Sequence, residues 1–241
     1  MTSIELERRP HRQPTSLTTA SAWESPSDGA RRVLSVLAAA VGILLTAPLM
    51  LVIAVLIKLT SRGSILYTQP RVGVDRRNGR NREEEHGAAR RGLDMGGRPF
   101  TIYKFRTMTA ANDTSTAEVW AQPDDPRVTP LGRVLRAYRM DELPQLFNVL
   151  RGDMNIVGPR PEQPDLFKDL RIRVRDYQTR QRVLPGITGW AQINHHYDTS
   201  VDDVQRKLAF DLEYLTRRST TEDFRIMLQT VPVIVFKRGA W

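Results

Sequence analysis

Cysteine is absent from all 241 residues, which excludes disulfides, thiolate nucleophiles and cysteine-ligated metals. Histidine is scarce, at 4 residues, and the adjacent His195 and His196 have no companion ligands at helical spacing. A histidine-based metal centre is therefore not expected. No Gly-rich loop ending in Gly-Lys-Ser/Thr and no Gly-x-Gly-x-x-Gly is present, so the common backbone cradles for nucleotide phosphates are missing. No internal repeat is visible, which excludes solenoids and propellers. Charge is missing altogether from residues 33–57, a run dominated by Leu, Val, Ile and Ala.

That uncharged run is the strongest positive signal. At about 1.5 Å per helical residue it is long enough for a hydrocarbon core of about 30 Å. It starts too late, and lacks the small-residue cleavage site, for a secretory signal peptide. One reading is a single-span anchor. Two features favour a re-entrant segment instead. Pro48 interrupts the run within Ala47-Pro48-Leu49 and removes a backbone donor. Basic residues flank both ends, Arg31 and Arg32 before and Lys58, Arg62 and Arg71 after, whereas the positive-inside rule places such clusters on the cytoplasmic side. A helix that enters, breaks at Pro48 and returns satisfies both clusters. The formal charge of +9 and pI near 10.3 suit an anionic membrane surface, nucleic acid or phosphorylated substrates.

The remaining chain divides by composition. Residues 1–29, rich in Pro, Ser, Thr and Arg, read as a disordered cytosolic tail. Residues 30–62 hold the membrane segment, and residues 63–241 form the remaining domain, expected on the cytosolic side. Residues 65–69 and 100–105 are β-prone runs that predict a small hairpin. Between them, residues 75–97 form a polar loop insertion carrying Glu83, Glu84 and Glu85. Thr129-Pro130 predicts a capped helix start running to about Tyr138. A second start is expected at Asp141, with Asp as cap, Glu142 opening the helix and Pro144 in the first turn. Leu143, Leu146, Phe147 and Leu150 then share an apolar face, and Gly152 ends the helix. Asp202 to Arg217 is amphipathic, and residues 221–236 are apolar enough to lie at a membrane surface despite Pro232.

Asp141 and Glu142 are the residues with most chemical potential. Adjacent carboxylates at a helix start are a common capping device. They also suit a nucleophile attacking phosphorus or a pair of hard ligands for Mg²⁺. Cations surround them in the sequence. Arg133, Arg136 and Arg139 form a row leading to Asp141; Lys104 and Arg106 alternate along the second β-prone run; Arg160 lies between Pro159 and Pro161 in a tight turn. Carboxylates, a hard cation and converging guanidinium groups together fit phosphoryl transfer. The competing reading is a membrane-tethered scaffold whose basic face grips anionic lipid or nucleic acid.

Three stretches resolve the choice by resemblance. KFRTM (residues 104–108), DELPQLFNVLRGDMNIVGPRPE (141–162) and PGITGWAQIN (185–194) resemble the bacterial sugar transferase family, the monotopic phosphoglycosyl transferases. The likeness runs from about Arg31 to the C-terminus and is closest to the short, one-domain type. It implies an α+β, mainly helical monotopic membrane enzyme with an N-terminal re-entrant helix and a small β-hairpin. It implies a two-step reaction in which Asp141 attacks the β-phosphate of a UDP-sugar, UMP leaves, and polyprenyl phosphate takes the sugar-phosphate from the aspartyl intermediate. Glu142 is then expected to position Mg²⁺ or the lipid phosphate, and Lys104, Arg106 and Arg160 to lie near phosphates. Asp211, in AFDLEYL, matches a C-terminal Asp of the family. Gln192 and Asn194 stand where nucleotide or sugar contacts are expected, although His195-His196 replaces the usual Gly-Arg after them. Ala47-Pro48 stands where Ser-Pro is frequent. The implied partners are a UDP-sugar, polyprenyl phosphate and membrane lipid, with no nucleic acid. The implied location is the bacterial inner membrane, catalytic domain facing the cytoplasm.

Overall fold

The structure, a computed structural model, describes residues 27–75, 97–109, 125–195 and 200–236. The tail to residue 26, most of the 75–97 insertion with its acidic triplet, and His196 lie outside the described residues. The described residues are mostly helical, with two separate two-stranded sheets and one long apolar helix at the start.

That helix, α1 (Asp28–Thr60), has 33 residues and contains Pro48 without an interruption of its helical span. The expected break is thus absent as a gap in the helix. A mid-helix proline removes one hydrogen bond but leaves the turns on either side intact. Only a narrow stripe of α1 is buried. Leu37, Leu44, Leu45, Leu51, Val52 and Leu59 are exposed, while Arg31, Ser35, Ala39, Ile53 and Ile57 are buried. The stripe docks in both halves of the helix. Ala39 packs with Ile102, Val149 and Met154, whereas Ile53 and Ile57 pack with Phe105 and Leu135. The Arg32 guanidinium donates to the Met154 and Val149 carbonyl oxygens. Arg31 donates from Nε to Asp223 at 2.8 Å and from a terminal nitrogen to the Tyr214 hydroxyl.

The expected hairpin is present. β1 (Leu66–Val72) pairs antiparallel with β2 (Pro99–Phe105), Leu66 facing Phe105 and Val72 facing Pro99. Next comes α2 (Pro130–Ala137). The Thr129 hydroxyl accepts the Gly132 N–H as its cap, and Pro130 opens the helix, as expected from Thr-Pro.

The second helix start differs from expectation. Asp141 does not cap an α-helix; Met140–Glu142 is a 3-10 turn, and α3 (Gln145–Arg151) begins after Pro144. Arg139 takes the left-handed conformation at φ 55°, which breaks the chain away from α2. The Glu142 N–H then closes a three-residue ring onto the Arg139 carbonyl. Gly152, at φ 93°, ends α3 as expected. The buried face of α3 is not its most apolar one. Gln145, Asn148 and Val149 point inward, while Phe147 and Leu150 are exposed. Asn148 explains part of this: Oδ1 accepts the Tyr103 N–H at 3.1 Å and Nδ2 donates to the Thr101 carbonyl at 2.7 Å, joining α3 to β2.

A parallel pair follows that is too short for periodicity to reveal. β3 (Asn155–Val157) lies beside β4 (Gly186–Thr188), with α4 (Pro164–Arg173) and a 3-10 segment, Tyr177–Arg182, between them. The two Gly-bearing turns touch back to back. A Cβ on Gly186 would lie 2.1 Å from the Gly158 nitrogen, so both chains need glycine there. The short α5 (Trp190–Asn194), then α6 (Val201–Arg217) and α7 (Thr220–Val235), complete the fold. Ser200 and Ser219 cap the last two, accepting from Asp203 and Glu222 N–H groups. Replacing Asn148 by Ala leaves a buried N–H and a buried carbonyl without their partners. A loss of about 1–3 kcal/mol is expected, read as a lowered unfolding midpoint in detergent.

Candidate active site

Three elements converge on the Asp141–Glu142 turn. β2 supplies Lys104, the loop after β3 supplies Arg160, and the left-handed turn supplies Arg139. Both carboxylates are nearly enclosed, Asp141 at 7% exposure and Glu142 at 6%. Their surroundings differ sharply. Glu142 Oε1 accepts from Lys104 Nζ at 2.8 Å and from Arg160 at 2.6 Å, and a second Arg160 nitrogen lies 3.5 Å from Oε2. No side chain among the described residues hydrogen-bonds Asp141, although Lys104, Arg160 and Arg139 act on it through space.

The electrostatics follow. Burial pushes the Asp141 carboxyl above its ordinary value, and the Glu142 charge adds to this; the three cations offset only part. Burial also opposes ionisation of Glu142, but Arg160 and Lys104 overcome it and hold that carboxyl well below its usual range. Glu142 raises Arg160 against burial. Burial lowers the Lys104 ammonium despite its bond to Glu142. The pair is thus one anion locked by two cations beside a carboxylate that accepts no side-chain hydrogen bond among the described residues.

A second layer holds Arg160. Arg180, 1% exposed, donates to the Arg160 carbonyl oxygen at 2.9 Å and pairs with Asp211 at 2.8 Å. Its other terminal nitrogen donates to Glu162 Oε1 at 2.8 Å and to the Tyr177 hydroxyl at 2.6 Å. Lys207 from α6 reaches the same Glu162 oxygen at 2.8 Å. Burial opposes the Glu162 charge, yet Lys207 and Arg180 hold that carboxyl far below its ordinary value. Arg180, Glu162, Lys207 and Tyr177 were not read from the sequence as site residues. They come from three separate segments, and only Tyr177 and Arg180 share one, three residues apart in the 3-10 segment.

The other sequence candidates lie as follows. Lys104, Arg139 and Arg160 meet the dyad, and Asp211 connects to it through Arg180. Arg106 turns elsewhere: β2 ends at Phe105, so strand alternation no longer directs it, and its guanidinium binds the Ser61 and Arg62 carbonyl oxygens past the end of α1. Arg136 donates to the Thr107 hydroxyl at 3.0 Å, and Arg133 is exposed on α2. Gln192 and Asn194 donate to the Ile187 and Trp190 carbonyl oxygens, and α5, which carries them, packs on α6 and α7. Pro48 is exposed on α1. No cluster of three or more His, Cys, Asp or Glu exists among the described residues.

The family model described as bacterial sugar transferase matches residues 27–81 and 86–237, a range that takes in α1, the dyad and the Arg160 and Arg180 layers. The chain belongs to the bacterial sugar transferase family. It is similar to a UDP-N-acetylgalactosamine-undecaprenyl-phosphate N-acetylgalactosaminephosphotransferase of Aeromonas hydrophila, 40% identical over 87% of this chain and 44% of that protein. A UDP-glucose:undecaprenyl-phosphate glucose-1-phosphate transferase of Caulobacter vibrioides is 38% identical over 88% of this chain and 72% of its own length. The exopolysaccharide production protein ExoY of Rhizobium meliloti is 34% identical, with 88% of each chain covered. The chain therefore spans less than half of the Aeromonas member and most of the Rhizobium one.

Within this family member, Arg180→Ala removes the guanidinium from Asp211, Glu162 and the Arg160 carbonyl at once. The expected cost is about 3–5 kcal/mol of stability, seen as a lower thermal midpoint. Arg180→Lys, which keeps the charge but not the fork, should restore part of it.

Proposed function

We propose that this chain transfers a sugar-1-phosphate from a UDP-sugar to polyprenyl phosphate, releasing UMP, through a covalent aspartyl intermediate on Asp141. The observation that carries the reading is the asymmetry of the dyad. Glu142 is bonded by Lys104 and Arg160, while its neighbour Asp141 accepts no side-chain hydrogen bond among the described residues. An enclosed carboxylate with no donor is a stronger nucleophile than one in water. The names of the relatives, which specify UDP-sugars and undecaprenyl phosphate, support the same substrates here.

In the first step an Asp141 oxygen attacks the β-phosphorus, the bond to the α-phosphate oxygen breaks, and UMP leaves with that electron pair. In the second, an oxygen of the lipid phosphate attacks the same phosphorus and the Asp141 carboxylate is regenerated. Lys104 and Arg160, already converging on the dyad, offset the charge of the phosphoryl oxygens in both steps. The donor set fits Mg²⁺ in a particular way. Two adjacent carboxylates without a third ligand match an ion that is held largely by substrate phosphates and water. Asp141 and Glu142 would hold it, and it would supply Lewis-acid neutralisation of the diphosphate.

The same reading places the enzyme on one face of the bilayer. A straight helix of 33 residues is about 50 Å long, enough to cross. Yet both halves of α1 pack on the same domain, and its start is tied by Arg31 and Arg32 to α7 and the end of α3. That favours a re-entrant helix with both ends cytoplasmic. On α7, Phe224, Leu228, Val231 and Val235 form an exposed apolar stripe, which suits a helix lying at the membrane surface. Priming of an exopolysaccharide or related glycoconjugate is the role this chemistry serves.

Membranes containing the chain should release UMP from UDP-N-acetylgalactosamine or UDP-glucose only when undecaprenyl phosphate and Mg²⁺ are present, and the more active donor identifies the sugar. Asp141→Asn should reduce release to background; undiminished turnover would remove Asp141 as nucleophile. Because the Asp141 pKa is raised by burial, the ionised form is lost as pH falls through a value above the ordinary aspartate figure of about 3.9. The acid limb of the kcat profile should therefore lie above that figure. The absence of cysteine makes topology directly testable: Gly29→Cys and Ser64→Cys should both be labelled from the cytoplasmic side, and a periplasmic Gly29→Cys would exclude the re-entrant arrangement.

A further inference from the structure

Residues directly opposite each other in an antiparallel pair point to the same face of the sheet. Tyr67 faces Lys104, Gln69 faces Ile102 and Arg71 faces Phe100. Tyr67, Gln69 and Arg71 therefore share the hairpin face from which Lys104 reaches Glu142. The β2 half of that face is filled. Ile102 is buried with Ala39, Val149 and Met154, and Phe100 packs on the same cluster. The β1 half is more open: Tyr67 is 47% exposed, and Gln69 and Arg71 are half-buried.

The β1 row leads from one cation of the site to the other. At one end Tyr67 stands opposite Lys104. At the other, Arg71 donates to the Pro161 carbonyl oxygen at 3.2 Å, next in the chain to Arg160. Lys104 and Arg160 both reach Glu142 Oε1. Gln69 stands midway along the row and diagonal to Lys104, a spacing of about 7–8 Å. Its amide has a fixed orientation. The second terminal nitrogen of Arg71 donates to Gln69 Oε1 at 2.7 Å. A guanidinium only donates, so the oxygen faces Arg71 and the nitrogen is turned away from it. That Nε2 donates to no group among the described residues, and it is not one of the atoms sealed from solvent.

We infer that Gln69 is a substrate-binding residue whose Nε2 donates to a phosphoryl oxygen, that of the nucleotide-sugar diphosphate or that of the lipid phosphate. This rests on the transfer reaction proposed above, which brings both phosphates to the dyad. Lys104 and Arg160 are already paired with Glu142, so their charge toward a phosphate is shared with that carboxylate. Gln69 adds a directed N–H with no such competitor, and a hydrogen bond to an ionised acceptor is of the stronger kind. Arg71 is then a positioning residue: it holds the amide oxygen and so decides which way the nitrogen points.

The test compares wild type, Gln69→Met and Gln69→Glu in detergent, with UDP-N-acetylgalactosamine and UDP-glucose as donors and undecaprenyl phosphate as acceptor. UMP release gives KM for each substrate, and thermal unfolding is followed in parallel. Gln69→Met removes the donor at similar size. It should raise KM by about 10- to 100-fold, the range of a hydrogen bond to a charged group. A rise for the UDP-sugar assigns the bond to the diphosphate, and a rise for undecaprenyl phosphate assigns it to the lipid. Gln69→Glu keeps an oxygen for Arg71 but loses the donor and turns a negative charge toward the phosphate, so KM for the same substrate should rise at least as far. Wild-type KM for both substrates in Gln69→Glu would overturn the proposal, because an oxygen for Arg71 would then be all that position 69 supplies. A raised KM in Gln69→Glu with wild-type values in Gln69→Met would overturn it too, since the added charge alone would account for the change. If Gln69→Met does not fold, the Gln69→Glu values decide. A wild-type chain that releases no UMP from either donor would reject the transfer reaction itself, and this inference with it.

Discussion

The Glu142 carboxylate, shared by Lys104 and Arg160, is the contact on which the site's geometry depends. One oxygen receives both cations, at 2.8 and 2.6 Å, and so joins β2, the dyad turn and the loop after β3. Each partner is costly to bury alone, and together they satisfy one another. Because Glu142 takes the hydrogen bonds, Asp141 is left as the enclosed carboxylate without a side-chain hydrogen bond among the described residues. A single ion-pair arrangement therefore gives two adjacent acids different chemical states, through position rather than residue type.

Behind that contact lies a layer of the same kind. Arg180 grips the Arg160 carbonyl, and Glu162, Asp211, Lys207 and Tyr177 enclose Arg180. Buried ion pairs of this sort add little net stability compared with apolar packing. Their effect here is directional. A planar guanidinium bonded on both terminal nitrogens permits few orientations, so the backbone under Arg160 is held while its side chain reaches Glu142. Gly158 and Gly186, too close for any side chain between them, place that loop against β4.

The apolar helix connects to the same assembly. Ile53 and Ile57 of α1 pack with Phe105 and Leu135, and Phe105 follows Lys104 directly on β2. Ala39 packs with Val149 and Met154 at the other end of α3. The helix and the dyad thus share one scaffold, α3 with β2. The apolar helix and the dyad are therefore not structurally independent.

Much of this was readable from contiguous residues. Thr129-Pro130, Gly152 and the β-prone pair produced the elements they signal, and the uncharged run produced a long apolar helix though not the expected break at Pro48, because length, capping, left-handed freedom and alternation are short-range properties. The dyad was also visible as an unusual pair amid arginines. Three features were not readable. Arg139 in a left-handed turn replaced the expected cap at Asp141 with a 3-10 segment, a choice made by surrounding packing. Arg106, one residue past the strand end, turned to α1, while Lys104 turned to Glu142. Beyond the Tyr177-x-x-Arg180 spacing, Arg180 and Glu162 have no local signature, since Asp211 and Lys207 come from α6 and the two residues themselves from separate segments. Residue order supplied two equivalent carboxylates and a surplus of cations; which cation reaches which carboxylate depends on long-range packing, because ion pairing acts between side chains in space and leaves no periodic trace along the chain.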